Sequence, residues 1–259
     1  MVFNISSTKN EKYKVFKALK SKKSRTEYNL YTVEGIKSVE DAIKSDEKIN
    51  SLIMSETFYN ENGKKYSGKF HLYVVSDSIF AGLTSTETPQ GIIAVIEQKD
   101  LSAIELDTNK AYIFCDHIND PGNLGTIIRT ADAAGFGGVL MSEMCVDLYN
   151  PKTVRASMGS FFHIKKALNI TKEMILEYKK MGFLIVCGVL SDKTVEYTMP
   201  DYKKPVIIVI GNEANGITDE ILEISDIDVK IPIDGEAESL NAAIAAAVIM
   251  YEVRRQRNE

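Results

Sequence analysis

The chain has 259 residues, is 44% hydrophobic and 26% charged, and carries a net charge of −5; this fits one large or two ordinary globular domains and excludes a disordered or fibrous protein. No apolar run approaches the ~20 residues that span a bilayer, and Met1 to Lys9 lacks the basic-then-apolar order of a secretory signal. Cys115, Cys145 and Cys187 are widely spaced, without metal-ligand spacing, so the expectation is a cytoplasmic protein with buried free thiols and no metal.

Residues 1–30 hold eight basic side chains (Lys9, Lys12, Lys14, Lys17, Lys20, Lys22, Lys23, Arg25) against Glu11 and Glu27, a local charge of +6 that leaves −11 for the rest. Such a segment is either a phosphate-binding face or a solvated helix face. Tyr13, Phe16, Lys17 and Lys20 recur at helical spacing, predicting a helix over 10–22 with a Thr8/Glu11 capping box. A second helix is predicted over 36–45, with Val39, Ala42 and Ile43 inward, and strands over 51–54, 72–75 and 91–96. Together these make a small α/β unit, followed by a polar linker within 97–110.

Beyond it, apolar runs predict strands over 111–115, 138–141, 183–187 and 206–210, with helices over 124–134, 172–181, 218–224 and 240–256. Val206 to Ile210 is a continuous β-branched run, as in a parallel strand buried on both faces. The last helix is rich in alanine (Ala242, Ala243, Ala245, Ala246, Ala247), which permits close approach to a second chain or to its own sheet.

Three polar, glycine-containing segments interrupt this pattern where strands end, the position at which open α/β sheets bind ligands: Asp116 to Ala131, Gly211 to Gly216, and Ile231 to Asn241. Neither a Gly-x-Gly-x-x-Gly fingerprint nor a Walker A sequence is present, which disfavours a nucleotide-dependent oxidoreductase and a nucleoside triphosphatase.

The three segments resemble the ordered motifs of the SpoU family of SPOUT RNA methyltransferases: Asn123-x-Gly125-x-x-x-Arg129-Thr130-Ala131; Ile210-Gly211-Asn212-Glu213 with Gly216; and Ile231-Pro232 followed by Ser239-Leu240-Asn241. The connector Asn150 to Gly159 also fits, so the likeness covers 110–256. The N-terminal part is similar, more loosely, to the ribosomal-protein-like RNA-binding domain of many members, through Asn10, Lys20, Arg25, Val33-Glu34-Gly35 and Thr88 to Ile92; this arrangement suits rRNA modifiers better than tRNA enzymes.

The resemblance implies an RNA-binding domain over 1–100 and a methyltransferase domain over 108–259, both α/β, the second with a deep trefoil knot, in a homodimer whose active sites lie at the subunit interface. It implies S-adenosylmethionine-dependent 2′-O-methylation of RNA ribose, with 23S rRNA and a guanosine as the expected target. A tRNA target and a non-catalytic ribosome-assembly factor are the alternatives. Gly211, Ile231 and Leu240 would cradle the cofactor, and Arg129, Glu213, Ser239 and Asn241 form the catalytic set. Arg129, expected one turn into its helix, would stabilise the developing alkoxide, since a guanidinium stays protonated. Glu213 either steers Arg129, faces the sulfonium, or is a turn carboxylate. Lys20, Arg25, Asn123 and Arg155 are the expected RNA contacts, with helix capping the alternative for Asn123 and an ion pair the alternative for Arg155. The family pattern requires no histidine at His117, so no base role is assigned to it. One departure is Ala242-Ala243, where many relatives have Val-Ser.

Overall fold

Alternation of buried and half-buried side chains along short apolar runs builds the sheet of an N-terminal unit. A computed structural model describes residues 1–191, 193–212 and 214–258, which divide into that unit, Met1–Lys99 with Tyr149–Phe162, and a second made of the remainder. The first contains β1 (Val2–Ile5), α1 (Glu11–Ala18), α2 (Lys22–Tyr28), β2 (Leu30–Glu34), α3 (Ile36–Lys44), β3 (Ile49–Ser55), α4 (Glu56–Tyr66), β4 (Leu72–Val75), α5 (Asp77–Ala81) and β5 (Ile92–Glu97). Its strand order is β1-β4-β3-β5-β2, with β5 antiparallel to both neighbours and β4 parallel to both of its own.

The helix predicted over 10–22 ends at Ala18, and a second helix that was not predicted follows from Lys22 to Tyr28. Asn10, not Thr8, caps α1, its Oδ1 accepting from the amides of Lys12 (2.9 Å) and Tyr13 (3.4 Å). Ser21 restarts the chain as the cap of α2, accepting from Ser24. A short side chain one residue before the first turn reaches its unpaired amides; Thr8 lies too far upstream.

This corner also corrects the expected role of Arg25. Its side chain is 2% exposed, and its Nη1 donates to the carbonyls of Leu19 (2.8 Å) and Lys20 (2.9 Å), so it ties α1 to α2 from inside. Lys20 reaches from the surface to the carbonyls of Gly82 (3.2 Å) and Thr84 (2.8 Å). Arg25→Met should lower unfolding free energy by about 2–4 kcal/mol, because the buried bond to Leu19 and the part-buried bond to Lys20 are both lost. Urea denaturation measures this, and an unchanged midpoint would contradict it.

Residues 34–36 are clasped by residues 84–92, with Gly35 N donating to Ile92 O at 3.1 Å. Glu34 accepts from the Thr84 hydroxyl, from Ser85 N (3.1 Å) and from Thr86 Oγ1 (2.7 Å), while Gln90 Oε1 accepts from Ile36 N (2.8 Å).

The second unit begins with β6 (Ala111–Cys115), α6 (Pro121–Ala133) and β7 (Gly138–Met141). The chain then returns α7 (Pro151–Ser157) and most of α8 (Ser160–His163) to the first unit. There Tyr149 and Phe161 pack on the ring of Tyr31 at centroid distances of 4.6 and 5.8 Å. Arg155 is exposed on α7. It lines a small recess with Glu34, Ser38 and Ser85. The rest is β8 (Lys165–Ala167), α9 (Lys172–Lys180), β9 (Leu184–Gly188), β10 (Val195–Glu196), β11 (Val206–Ile210), α10 (Asp219–Leu222), β12 (Ile227–Lys230) and α11 (Ala242–Asn258).

Among the described residues these strands form one parallel sheet, ordered β10-β12-β9-β11-β6-β7-β8. β11 is buried throughout and lies between β9 and β6, as its unbroken β-branched run requires. Tyr112, Phe114, Ile185, Ile207 and Val209 form the core of one face with Ile175 of α9 and Ile221 of α10. α11 packs against α6 and β11, and Ala242, Ala243 and Ala246 are buried there, so these small residues serve close packing within the subunit. Cys115 and Cys187 are buried in the sheet, and burial pushes the Cys187 thiol up to about 12. No helix among the described residues is long and apolar enough to cross a membrane.

Candidate active site

Parallel strands end together, and the loops leaving β9, β11 and β12, with the start of α11, line a cavity of about 450 Å³ in the second unit. Gly188 closes β9, Ile210 and Gly211 close β11, and Ile231 follows β12. Ile233, Leu240 and Ile249 add apolar side chains, and Asn212, Asp228 and Ser239 add polar groups. The volume falls within the range of small-molecule sites.

The loop after β11 is shaped by two glycines. Asn212 and Gly216 exchange backbone hydrogen bonds of 3.0 and 2.8 Å, and Gly216 turns the chain at φ +70°. A Cβ on Gly211 would lie 2.2 Å from both the carbonyl carbon and the oxygen of Gly216. The turn closes only because position 211 has no side chain. Asn212 Oδ1 accepts from Ala214 N (2.7 Å) and Asn215 N (3.3 Å), and its Nδ2 donates to His117 O (3.0 Å). Glu213 lies outside the described residues.

A second clasp joins this loop to the end of β6. Asp116, 1% exposed, accepts at Oδ2 from both the amide and the hydroxyl of Thr218, each at 2.8 Å. Its own amide donates to Ile210 O at 2.8 Å. His117, at φ 55°, donates its amide to Ser142 Oγ (2.9 Å), with its Nε2 3.9 Å from Asp116 Oδ1. Position by motif did not single out Asp116 or Thr218. The available signal was an aspartate placed directly at the end of a wholly apolar strand, where a buried carboxylate must find donors. Gly188 and Asp228 were likewise missed, although the strand-end rule applies to β9 and β12 as it does to β6 and β11.

α6 starts three residues earlier than its apolar spacing suggested, because Asp120 caps it, accepting from Asn123 N (2.9 Å), and Pro121 occupies its first turn. The capping alternative for Asn123 therefore goes to Asp120. Arg129 consequently lies more than two turns from the N-terminus, not one, so the helix dipole contributes little to it. Asn241 caps α11, its Oδ1 accepting from Ala243 N (3.0 Å) and Ile244 N (3.3 Å), and its Nδ2 donates to Asn123 Oδ1 (3.0 Å). The first and third motifs thus meet at the adjoining N-termini of α6 and α11. Arg129 is exposed on α6 and does not line the cavity.

Gly211, Ile231, Ser239 and Leu240 thus share one cavity, Asn123 and Asn241 share a hydrogen bond, and Arg129 belongs to neither group. The cavity suits an adenosyl cofactor: its walls are largely apolar, with backbone and amide groups at the strand ends for polar edges.

Residues 110–251 match the SpoU rRNA Methylase family, and residues 10–94 match the MRM3-like substrate binding domain. A Bacillus subtilis (strain 168) protein named 23S rRNA (guanosine(2553)-2′-O)-methyltransferase RlmP is 34% identical over 250 residues, covering 96% of this chain and 98% of that protein. The AdoMet-bound crystal structure of an rRNA methyltransferase from Sinorhizobium meliloti is 34% identical, covers 98% of both chains and superposes with a TM-score of 0.89. The tRNA (guanosine(18)-2′-O)-methyltransferase of Aquifex aeolicus (strain VF5) is 34% identical over 155 residues, covering 57% of this chain and 70% of that protein. With the second and third motifs lining one strand-end cavity, the family match over residues 110–251 and likenesses to the Bacillus subtilis and Sinorhizobium meliloti proteins over nearly the whole chain, the protein belongs to the SpoU rRNA methylase family.

Proposed function

We propose that this chain transfers a methyl group from S-adenosylmethionine to a ribose 2′-hydroxyl of 23S rRNA, at a guanosine, with residues 1–100 binding RNA and 108–259 carrying the reaction. The observation that supports an rRNA target best is coverage: the likeness to the Bacillus subtilis 23S rRNA enzyme spans 96% of this chain, that to the Aquifex aeolicus tRNA enzyme 57%. A deep trefoil knot in the second domain, a homodimer and a cytoplasmic location complete the reading. Ile244 and Tyr251, 51% and 46% exposed and two turns apart on one face of α11, support a subunit contact there.

The bound cofactor supplies an electrophilic methyl group on a sulfonium. Gly211, Ile231 and Leu240 hold it by backbone and apolar contact, and Ser239 and Asn241 fix the loop that enters α11. Arg129 acts at the subunit interface, which accounts for its position outside the cavity of its own chain. Its guanidinium stabilises the alkoxide as the hydroxyl proton leaves to phosphate or water. Glu213 completes the catalytic set. Asn123, Arg155 and Lys20 face RNA, and Arg25 acts only by holding α1 to α2.

The decisive assay is transfer of labelled methyl to rRNA and tRNA purified from a strain lacking this protein. Label in rRNA at one nucleotide that resists alkaline cleavage is the expected result. Label confined to tRNA would overturn the substrate, and label in neither would favour an assembly factor without catalysis.

The Asp116–Thr218 clasp makes a separate prediction. Thr218→Val removes one donor at constant volume and should raise the KM for S-adenosylmethionine about five- to ten-fold. The kcat should stay within about three-fold, and Thr218→Ser should restore the KM. A lower melting temperature with unchanged KM would mean that the clasp stabilises the fold only.

A further inference from the structure

We infer that the exposed Phe3–Tyr73–His71 edge of the first sheet is a stacking site for an unpaired base of the RNA substrate, flanked by the lysines of α1; this rests on the RNA-methylating function proposed above. β1 and β4 run parallel with Phe3 opposite Tyr73, so both rings stand on one face. Their centroids are 5.2 Å apart with the planes inclined by 22°. His71 lies two residues before Tyr73, on the same face by strand alternation, and its ring is 6.2 Å from Phe3 at 34°. Phe16 of α1 meets Tyr73 edge-on at 5.1 Å, which fixes the ladder from its inner side.

The outer side is uncovered. β1 is an edge strand, so among the described residues no further strand lies beyond Phe3, which is 40% exposed; His71 is exposed as well. A planar base laid on Phe3 would extend the ladder by one ring. Aromatic stacking is the main way in which proteins hold unpaired RNA bases, and it tolerates any base.

Charge selects RNA over an apolar partner. Phe16 places α1 beside the ladder, and Lys12, one turn earlier, shares its helix face. Lys14 is paired with Glu11 at 2.6 Å and Lys20 with two carbonyls, while Lys9, Lys12 and Lys17 are exposed. A phosphate on either side of a stacked base would meet these cations. A symmetric contact with a second copy of the chain would bring an equally basic helix against them and be repelled.

The test measures binding of the full-length protein to a single-stranded RNA dodecamer containing 2-aminopurine, for the wild type, Phe3→Ala, Phe3→Trp and Lys12→Glu, beside methyl transfer by the wild type. Phe3→Ala should weaken binding about ten-fold or more and abolish the quench of 2-aminopurine, with cofactor affinity unaffected, and Phe3→Trp should restore both. Lys12→Glu should reduce the salt dependence of binding, which Phe3→Ala should leave alone. If the wild type binds and methylates RNA but Phe3→Ala binds equally well, the stacking site is wrong and the enzymatic function stands. If the wild type neither binds nor methylates RNA, both fall. A change of sedimentation state in Phe3→Ala would instead make this edge a contact between copies and overturn the assignment.

Discussion

Arg129→Ala is expected to lower kcat for ribose methylation by about 10²–10³-fold, the usual loss when a preorganised donor to a developing oxyanion is removed. Arg129 is on the solvent side of α6, opposite the buried Leu124, Ile127, Ile128 and Ala131, so truncation removes charge without opening a core cavity. Thermal stability should therefore change little. The strand-end cavity proposed to hold the cofactor does not include this side chain, so calorimetric affinity for S-adenosylmethionine should also hold. Arg129→Lys keeps the charge but loses the planar fork, and should recover only part of the rate. An alanine variant with wild-type kcat would remove Arg129 from the catalytic set. Equal loss of rate and of cofactor binding would instead make it part of the cofactor site.

Gly211→Ala should reduce S-adenosylmethionine affinity by more than about 100-fold, because the added Cβ falls 2.2 Å from two backbone atoms of Gly216. Neither atom is the end of a flexible side chain, so the turn itself must open, and with it one wall of the cavity. A backbone displacement on this scale costs several kcal/mol, and about 1.4 kcal/mol is a ten-fold change in binding. Gly216→Ala is the control. Its Cβ meets nothing within 4 Å, and the cost is the left-handed φ of +70° alone, about 1–2 kcal/mol. Isothermal calorimetry should therefore rank wild type above Gly216→Ala and both well above Gly211→Ala. Equal affinities of the two variants would mean that the loop is not the cofactor's wall.

The second domain was the more legible in sequence where its strands are buried, in β6, β7, β9 and β11; the more exposed β8, β10 and β12 were not legible. Val206 to Ile210 and Ala111 to Cys115 are continuous apolar runs, and a run of this kind carries its own boundaries. The motif residues could be placed at strand ends for the same reason: polar segments begin where apolar runs stop. In the first domain, β2 alternates buried Tyr31 and Val33 with half-buried neighbours, and β1 buries only Ile5; such short half-buried strands hardly differ from loops in composition.

What residue identities determined by themselves was therefore the α/β class, the buried central strand, the order of the three motifs, and the need for glycine near a ligand. Tertiary structure decided the rest, because each remaining fact depends on a partner distant in sequence. Arg25 is an internal tie because the carbonyls of Leu19 and Lys20 turn toward it, and its charge pattern is no different from that of its exposed neighbours. Asp116 meets Thr218 across 102 positions, and Asn241 meets Asn123 across 118. Segment 149–162 joins the first unit through Tyr31, Tyr149 and Phe161. Local periodicity reports which face of an element is apolar; it holds no information about which distant surface will cover that face, and only the packed chain supplies it.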